Sequence, residues 1–117
     1  MASEGFHEAA ESLSPRTRDL HRAIVSLMEE LEAIDWYQQR VEATGDPALR
    51  EILEHNRDEE KEHAAMVLEW LRRSDAVLEG YLRKYLFTDR PIVAIEDEPD
   101  NGAGLKVAAT VGSLRRR

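Results

Sequence analysis

Apolar residues recur along this chain in alternating steps of three and four over two long segments, as they do along helices that pack on one face. From Pro15 to about Ala43 the stripe runs Leu20, Ile24, Leu27, Leu31, Ile34, Gln38 and Val41. In the second segment it runs Leu49, Leu53, Asn56, Glu60, His63, Val67 and Trp70. Ser14-Pro15 starts the first helix, with serine as N-cap and proline at the first helical position. Gly45 is expected to stop it. Asp46-Pro47 restarts a helix at once, which predicts an antiparallel hairpin with a very short turn. The second helix is expected to reach about Arg73. Asp75 then caps a shorter third helix that carries Leu78, Leu82 and Leu86 and is weakened by Gly80. The expected fold is all-α, an antiparallel two-helix hairpin plus a short third helix.

Around this helical domain, placed at residues 14–88, the character of the chain changes. Residues 1–13 read as a polar, flexible N-terminal arm. Residues 89–103, with Pro91 and the run Glu96-Asp97-Glu98-Pro99-Asp100-Asn101-Gly102, read as a flexible acidic linker. Residues 104–117 are small, apolar and basic. No internal repeat, glycine-rich phosphate loop or Ser/His/Asp constellation is found.

At 117 residues the chain is at most one small domain with a modest core, so association is a natural source of further burial. It has no cysteine, which excludes disulfides, thiolate zinc sites and thiol nucleophiles. Any metal is therefore held by oxygen and nitrogen, a donor set suited to iron, manganese or zinc. No apolar run approaches membrane-spanning length and no signal-peptide layout opens the chain, so a cytoplasmic protein is expected. All 24 acidic residues precede Ala103, whereas Lys106 and Arg115 to Arg117 follow it. An acidic body of this kind argues against nucleic acid, whose phosphates need cationic partners, and is compatible with gathering cations.

The second stripe carries polar residues where its pattern calls for apolar ones. Glu60-Lys61-Glu62-His63 is an E-x-x-H unit, which puts a carboxylate and an imidazole on one helical face. Burying both is costly unless something pairs with them. The spacing alone is weak evidence, since Glu4 and His7 repeat it with no role assigned; position on the stripe is what singles out Glu60 and His63. On the first helix, at about 100° per residue, Glu30 falls roughly 60° from Leu27, at the edge of the apolar side. An edge glutamate reaching solvent is the alternative reading. Tyr37, two turns on, shares that face and can donate a hydrogen bond to a carboxylate. Glu29 and Glu32 point the other way, grouped with Val25 and Trp36. For Asn56 two readings are open: a donor that orients a ligand, or a polar residue fixing helix register. Trp36 implies a second contact surface, filled either by a larger assembly or by the third helix folding back.

One hairpin thus offers two carboxylates and one histidine. A ferritin-like di-iron site takes a Glu from each of two helices and a Glu-x-x-His from each of two others. Two copies related by a two-fold axis supply the full set in a four-helix bundle. Bridging carboxylates bring two irons together, so both electrons that reduce O2 to the peroxide level come from one site, and the anionic ligands favour iron(III).

The run Glu29-Glu30-Leu31-Glu32-Ala33-Ile34-Asp35-Trp36-Tyr37, together with Asn56-Arg57-Asp58-Glu59-Glu60-Lys61-Glu62-His63-Ala64-Ala65-Met66, closely resembles the encapsulated ferritins, and the resemblance extends through Tyr85-Leu86-Phe87. It implies a ring of dimers, typically decameric, that oxidises iron(II) at a di-iron centre formed between chains. Glu30, Glu60 and His63 match the family's ferroxidase ligands, and Tyr37 matches a tyrosine beside that centre. Glu29 and Glu32, with Trp36 near, match an outer metal-binding site on the access route. The resemblance also implies that the ring sits in the lumen of an encapsulin shell and feeds it oxidised iron. Thr110-Val111-Gly112-Ser113-Leu114-Arg115-Arg116 is similar to the family's targeting peptide, with Val111 and Leu114 meeting an apolar groove and Gly112 allowing close approach. Two other readings share part of this pattern: a non-catalytic helical-hairpin interaction module, and a di-iron peroxidase related to rubrerythrin.

Overall fold

A computed structural model describes residues 5–100 of the protein. Among these residues it is all-helical, with no strand. Helix α1 spans Pro15–Ala43, α2 Pro47–Ser74, α3 Ala76–Tyr85 and the single-turn α4 Ile92–Ile95. The chain divides into two compact units, Met1–Trp70 and Leu71–Arg117.

The first unit is the hairpin. Ser14 caps α1 by accepting from the Thr17 amide at 3.1 Å, with Pro15 in the first turn. At the other end Thr44 is extended, with φ −75° and ψ 140°. The helix ends just before Gly45, as expected, but Gly45 itself is not left-handed, since Gly5 is the one glycine with positive φ among the described residues. Arg50 closes the helix end instead. Its Nε donates to the Val41 carbonyl at 3.2 Å and its Nη2 to the Thr44 carbonyl, satisfying acceptors that a helix C-terminus leaves open. Asp46 accepts from the amides of Ala48 and Leu49 at 3.0 and 3.4 Å and so starts α2 where the sequence placed it.

Cross-helix contacts show the antiparallel register: Val41 meets Arg50, Gln38 accepts from Arg57 Nη1 at 2.9 Å, and Glu30 meets His63. Numbers rise on one helix as they fall on the other. At 1.5 Å per residue each long helix is about 42 Å in length, yet among the described residues of this unit only Val41 and Ala64 are apolar and buried. Ile24, Leu31, Leu49 and Trp70 of the two stripes are exposed. The expected core at these positions does not form within one chain, because two helices alone can cover only one side of each other's stripe.

Residues Phe6 to Leu13, expected as part of a flexible arm, lie against α1. Phe6 packs on the His21 ring at 4.8 Å between centroids, Ala10–Ser12 forms a 3-10 turn, and Arg18 reaches the Ala10 carbonyl.

In the second unit, Asp75 caps α3 by accepting from Val77 and Leu78 amides at 3.0 Å each. The structure differs from the sequence expectation after Thr88. Instead of a featureless acidic linker, Ile92–Ile95 is helical and packs on α3, with Ile95 fully buried. The acidic composition hid the one large apolar side chain that matters there. Residues 104–117 lie outside the described residues.

Gly45 has open space where a Cβ would sit and no strained φ. Gly45→Ala is therefore expected to raise stability by about 0.4–1 kcal/mol through the unfolded chain. Arg50→Ala should lower it by about 1–3 kcal/mol, since charge-assisted bonds to helix carbonyls are lost. Urea melts of the two variants measure both, and a destabilised Gly45→Ala would show that a glycine is required at the turn.

Candidate metal centre

Three candidate ligands meet across the hairpin. Glu30 lies in the middle of α1, while Glu60 and His63 lie one turn apart on α2 and share a face because a helix brings i and i+3 together. The antiparallel register sets Glu30 opposite them. His63 Nδ1 is 3.6 Å from Glu30 Oε2 and 3.7 Å from Glu60 Oε1. One ligand atom from each of the three lies within 4.8 Å of the others. Other groups of three or more His, Cys, Asp or Glu side chains at such spacing are absent among the described residues.

The two carboxyls are three-quarters buried, at 24% and 23% side-chain exposure, whereas the imidazole is half-exposed at 48%. Hydrogen bonding to Glu60 raises the Glu30 carboxyl above its ordinary range, and burial and the Glu60 charge push the same way; His63 pulls it down less strongly. Two anions held this close stabilise a shared proton or, in its place, a cation. The donor set of two carboxylates and one imidazole fits a hard or borderline divalent ion such as iron(II).

A recess of about 390 Å³ opens beside the cluster, lined by Tyr37, His55, Asn56, Glu59, Glu60 and His63. Tyr37 lies at its wall under the Arg40 guanidinium, 5.4 Å from the ring centre. Among the described residues its hydroxyl makes no hydrogen bond to Glu30 or Glu60, the contact that the sequence reading allowed. Asn56 is half-buried in the same wall. His55 and Glu59, 3.4 Å apart, were not singled out in the sequence. They flank the apolar stripe, and only their i,i+4 spacing beside Asn56 and Glu60 could have signalled them. Gln38, an oddity on the first stripe, is explained by its bond to Arg57 across the hairpin.

The structure does not gather Glu29, Glu32 and Trp36 into a site within one chain. Glu29 is exposed, Glu32 half-buried, and Trp36 lines a separate recess with Gln39 and Arg40. Val111, Gly112 and Leu114 lie outside the described residues.

These features define an all-helical, ferritin-like protein with a carboxylate–histidine cluster on a helical hairpin. The sequence profile of the EncFtn-like family matches residues 5–89, and the chain belongs to that family. It is 61% identical over 104 residues to the encapsulated ferritin-like protein of Rhodospirillum rubrum, covering 89% of this chain and 74% of that one. It is 54% identical over 101 residues to a ferritin-like protein of Thermotoga maritima, covering 86% and 89%. The encapsulin nanocompartment cargo protein EncC of Myxococcus xanthus is 34% identical over 122 residues, covering 90% and 94%. The crystal structure of protein ne0167 from Nitrosomonas europaea superposes with a TM-score of 0.74 at 60% identity, covering 76% of this chain and 98% of that one.

The raised Glu30 carboxyl sets the sign of a pH effect. A group whose folded pKa exceeds its unfolded one contributes stability present below the unfolded value and lost as pH rises through the folded one. Metal-free protein is therefore expected to lose stability as pH climbs out of the ordinary carboxylate range. Glu30→Gln should flatten that component and be more stable than wild type near neutral pH. Thermal melts across pH 4 to 8 in chelator measure this, and parallel profiles for the two proteins would count against the coupling. With metal present the slope should reverse, because ligands must shed protons to bind.

Proposed function

We propose that the protein is a ferroxidase that oxidises iron(II) with O2 at a di-iron centre shared between two chains. The observation that carries this reading is the Glu30–Glu60–His63 cluster on a hairpin that leaves its apolar stripe open. One chain holds half of a four-carboxylate, two-histidine ligand set. It also exposes Ile24, Leu31, Leu49 and Trp70 on the helices that carry it. Pairing of two hairpins about a two-fold axis covers the apolar surface and completes the ligand set in one four-helix bundle.

In that arrangement Glu30, Glu60 and His63 would hold the iron(II) substrate with two carboxylates and one imidazole nitrogen. Two iron(II) ions held there would give one electron each, together reducing O2 to the peroxide level and leaving iron(III). Tyr37 stands in the wall of the recess, where it supports the centre. Glu29 and Glu32, with Trp36, form the outer site that iron meets first, and the dimer brings their copies together. Dimers assemble into a ring, a decamer by family resemblance.

Delivery belongs to the tail. Two relatives are named as encapsulated or as encapsulin cargo, and Val111, Gly112 and Leu114 give this chain a segment able to dock on the inner wall of such a shell. The protein then works in the lumen of a cytoplasmic nanocompartment, where its product iron(III) is stored.

Iron(II) added anaerobically and then exposed to air tests the catalytic reading. Wild type should take up O2 with a fast rise in ferric absorbance, and His63→Ala and Glu30→Ala should each slow it at least tenfold. Equally fast rates in all three would place oxidation elsewhere in the chain, and no oxygen uptake by any of them would leave a non-catalytic interaction module. Faster oxidation with peroxide than with O2 would mark a rubrerythrin-like peroxidase. Iron at a hundred times its Kd should also stabilise the assembly by about 2.7 kcal/mol, read as a rise in Tm that the His63→Ala protein lacks.

Removal of residues 110–117 separates docking from catalysis. Oxidation should be unchanged, and co-purification with the co-expressed shell protein should be lost. Retained co-purification would assign docking to another part of the chain.

A further inference from the structure

Lys84 is the one charged residue buried among the described residues, with 4% of its surface exposed. It lies at the end of α3, and Gly80, one turn earlier, is buried as well. The Lys84 ammonium donates to the Glu96 carbonyl at 3.0 Å and to Asp100 Oδ1 at 2.7 Å, and it sits 5.8 Å from the Tyr85 ring centre. The side chains of this ion pair are 2% and 14% exposed. A lysine is held in such a place only where its charge is met. Ile95, within the segment that follows α3, is fully buried, and the amides of Glu96, Asp97 and Glu98 bond back to the carbonyls of Val93, Ala94 and Ile95. The exposed Arg90–Glu98 fork adds little to this, because solvent screens it.

We propose that Ile92–Asp100 is a strap that Lys84 locks onto α3, so that the C-terminal tail starts from Asp100 rather than from Thr88. The strap gives the chain a means of setting tail reach. At 3.3–3.6 Å per residue, residues 101–110 span at most about 35 Å from Asp100, whereas from a freed Thr88 the limit to residue 110 is about 75 Å. Breaking the lock therefore doubles the distance over which the tail can find a partner. The consequence for docking rests on the proposed reading of the tail; the strap itself does not.

Hydrogen exchange on the full-length free protein tests the strap without any shell present. Asp100→Asn leaves α3 and Lys84 in place and should speed exchange at Ala94 to Glu98 at least tenfold, with Val77 to Leu86 unchanged. Lys84→Met should do the same, its apolar stem retaining the packing. Unchanged exchange at Ala94 to Glu98 in both variants would overturn the proposal. So would equal acceleration of α3 and the strap, since that would mean one unit melting together. Absence of shell co-purification in wild type would defeat the docking reading and leave the exchange result standing.

Discussion

Repulsion between the Glu30 and Glu60 carboxylates, held side by side on two antiparallel helices, is the constraint on which the site depends. Water would separate two such groups. The hairpin register prevents it, since the turn at Thr44 to Asp46 leaves Glu30 level with Glu60 and His63. The imidazole relieves part of the charge and a proton relieves more, as the raised Glu30 carboxyl shows. A bound cation would relieve the rest, which would couple metal binding to proton release and to folding.

The same hairpin is incomplete as a folded object. Burial of an apolar stripe requires cover on both sides of the contact, and two helices give cover on one. Hence Val41 and Ala64 are buried while Ile24, Leu31, Leu49 and Trp70 are not. Incomplete core and incomplete ligand set lie on the same helices, so association of copies would remedy both together. A half-exposed His63 is in keeping with the proposed shared centre, in which it would have to remain reachable from outside its own chain.

The second unit solves a different problem. Its α3 is short and contains Gly80, so the helix has little stability of its own. Asp75 secures its start, and the Ile92–Asp100 segment covers it with one fully buried side chain and one buried ion pair. Breaking a pair of that kind leaves an uncompensated buried charge, which makes Lys84 a point of high leverage in a small unit.

The helices, their starts and the shared face of Glu60 and His63 were legible in the sequence because each rests on local rules, whereas the meeting of Glu30 with them was decided by the hairpin register. Caps act within three residues, and stripes follow the fixed 3.6-residue period. Tertiary structure decided what those rules do not reach. Which end-group closes α1 depended on Arg50, several residues beyond the turn, and not on the adjacent glycine. Whether Glu29, Glu32 and Trp36 meet depended on spatial neighbours, and one chain does not supply them. The strap was hidden because a composition rich in charge says nothing of one buried isoleucine, or of a lysine and an aspartate that pair across a bend. Periodicity is a property of one helix; contact between segments is set by register and packing, and only the folded chain contains those.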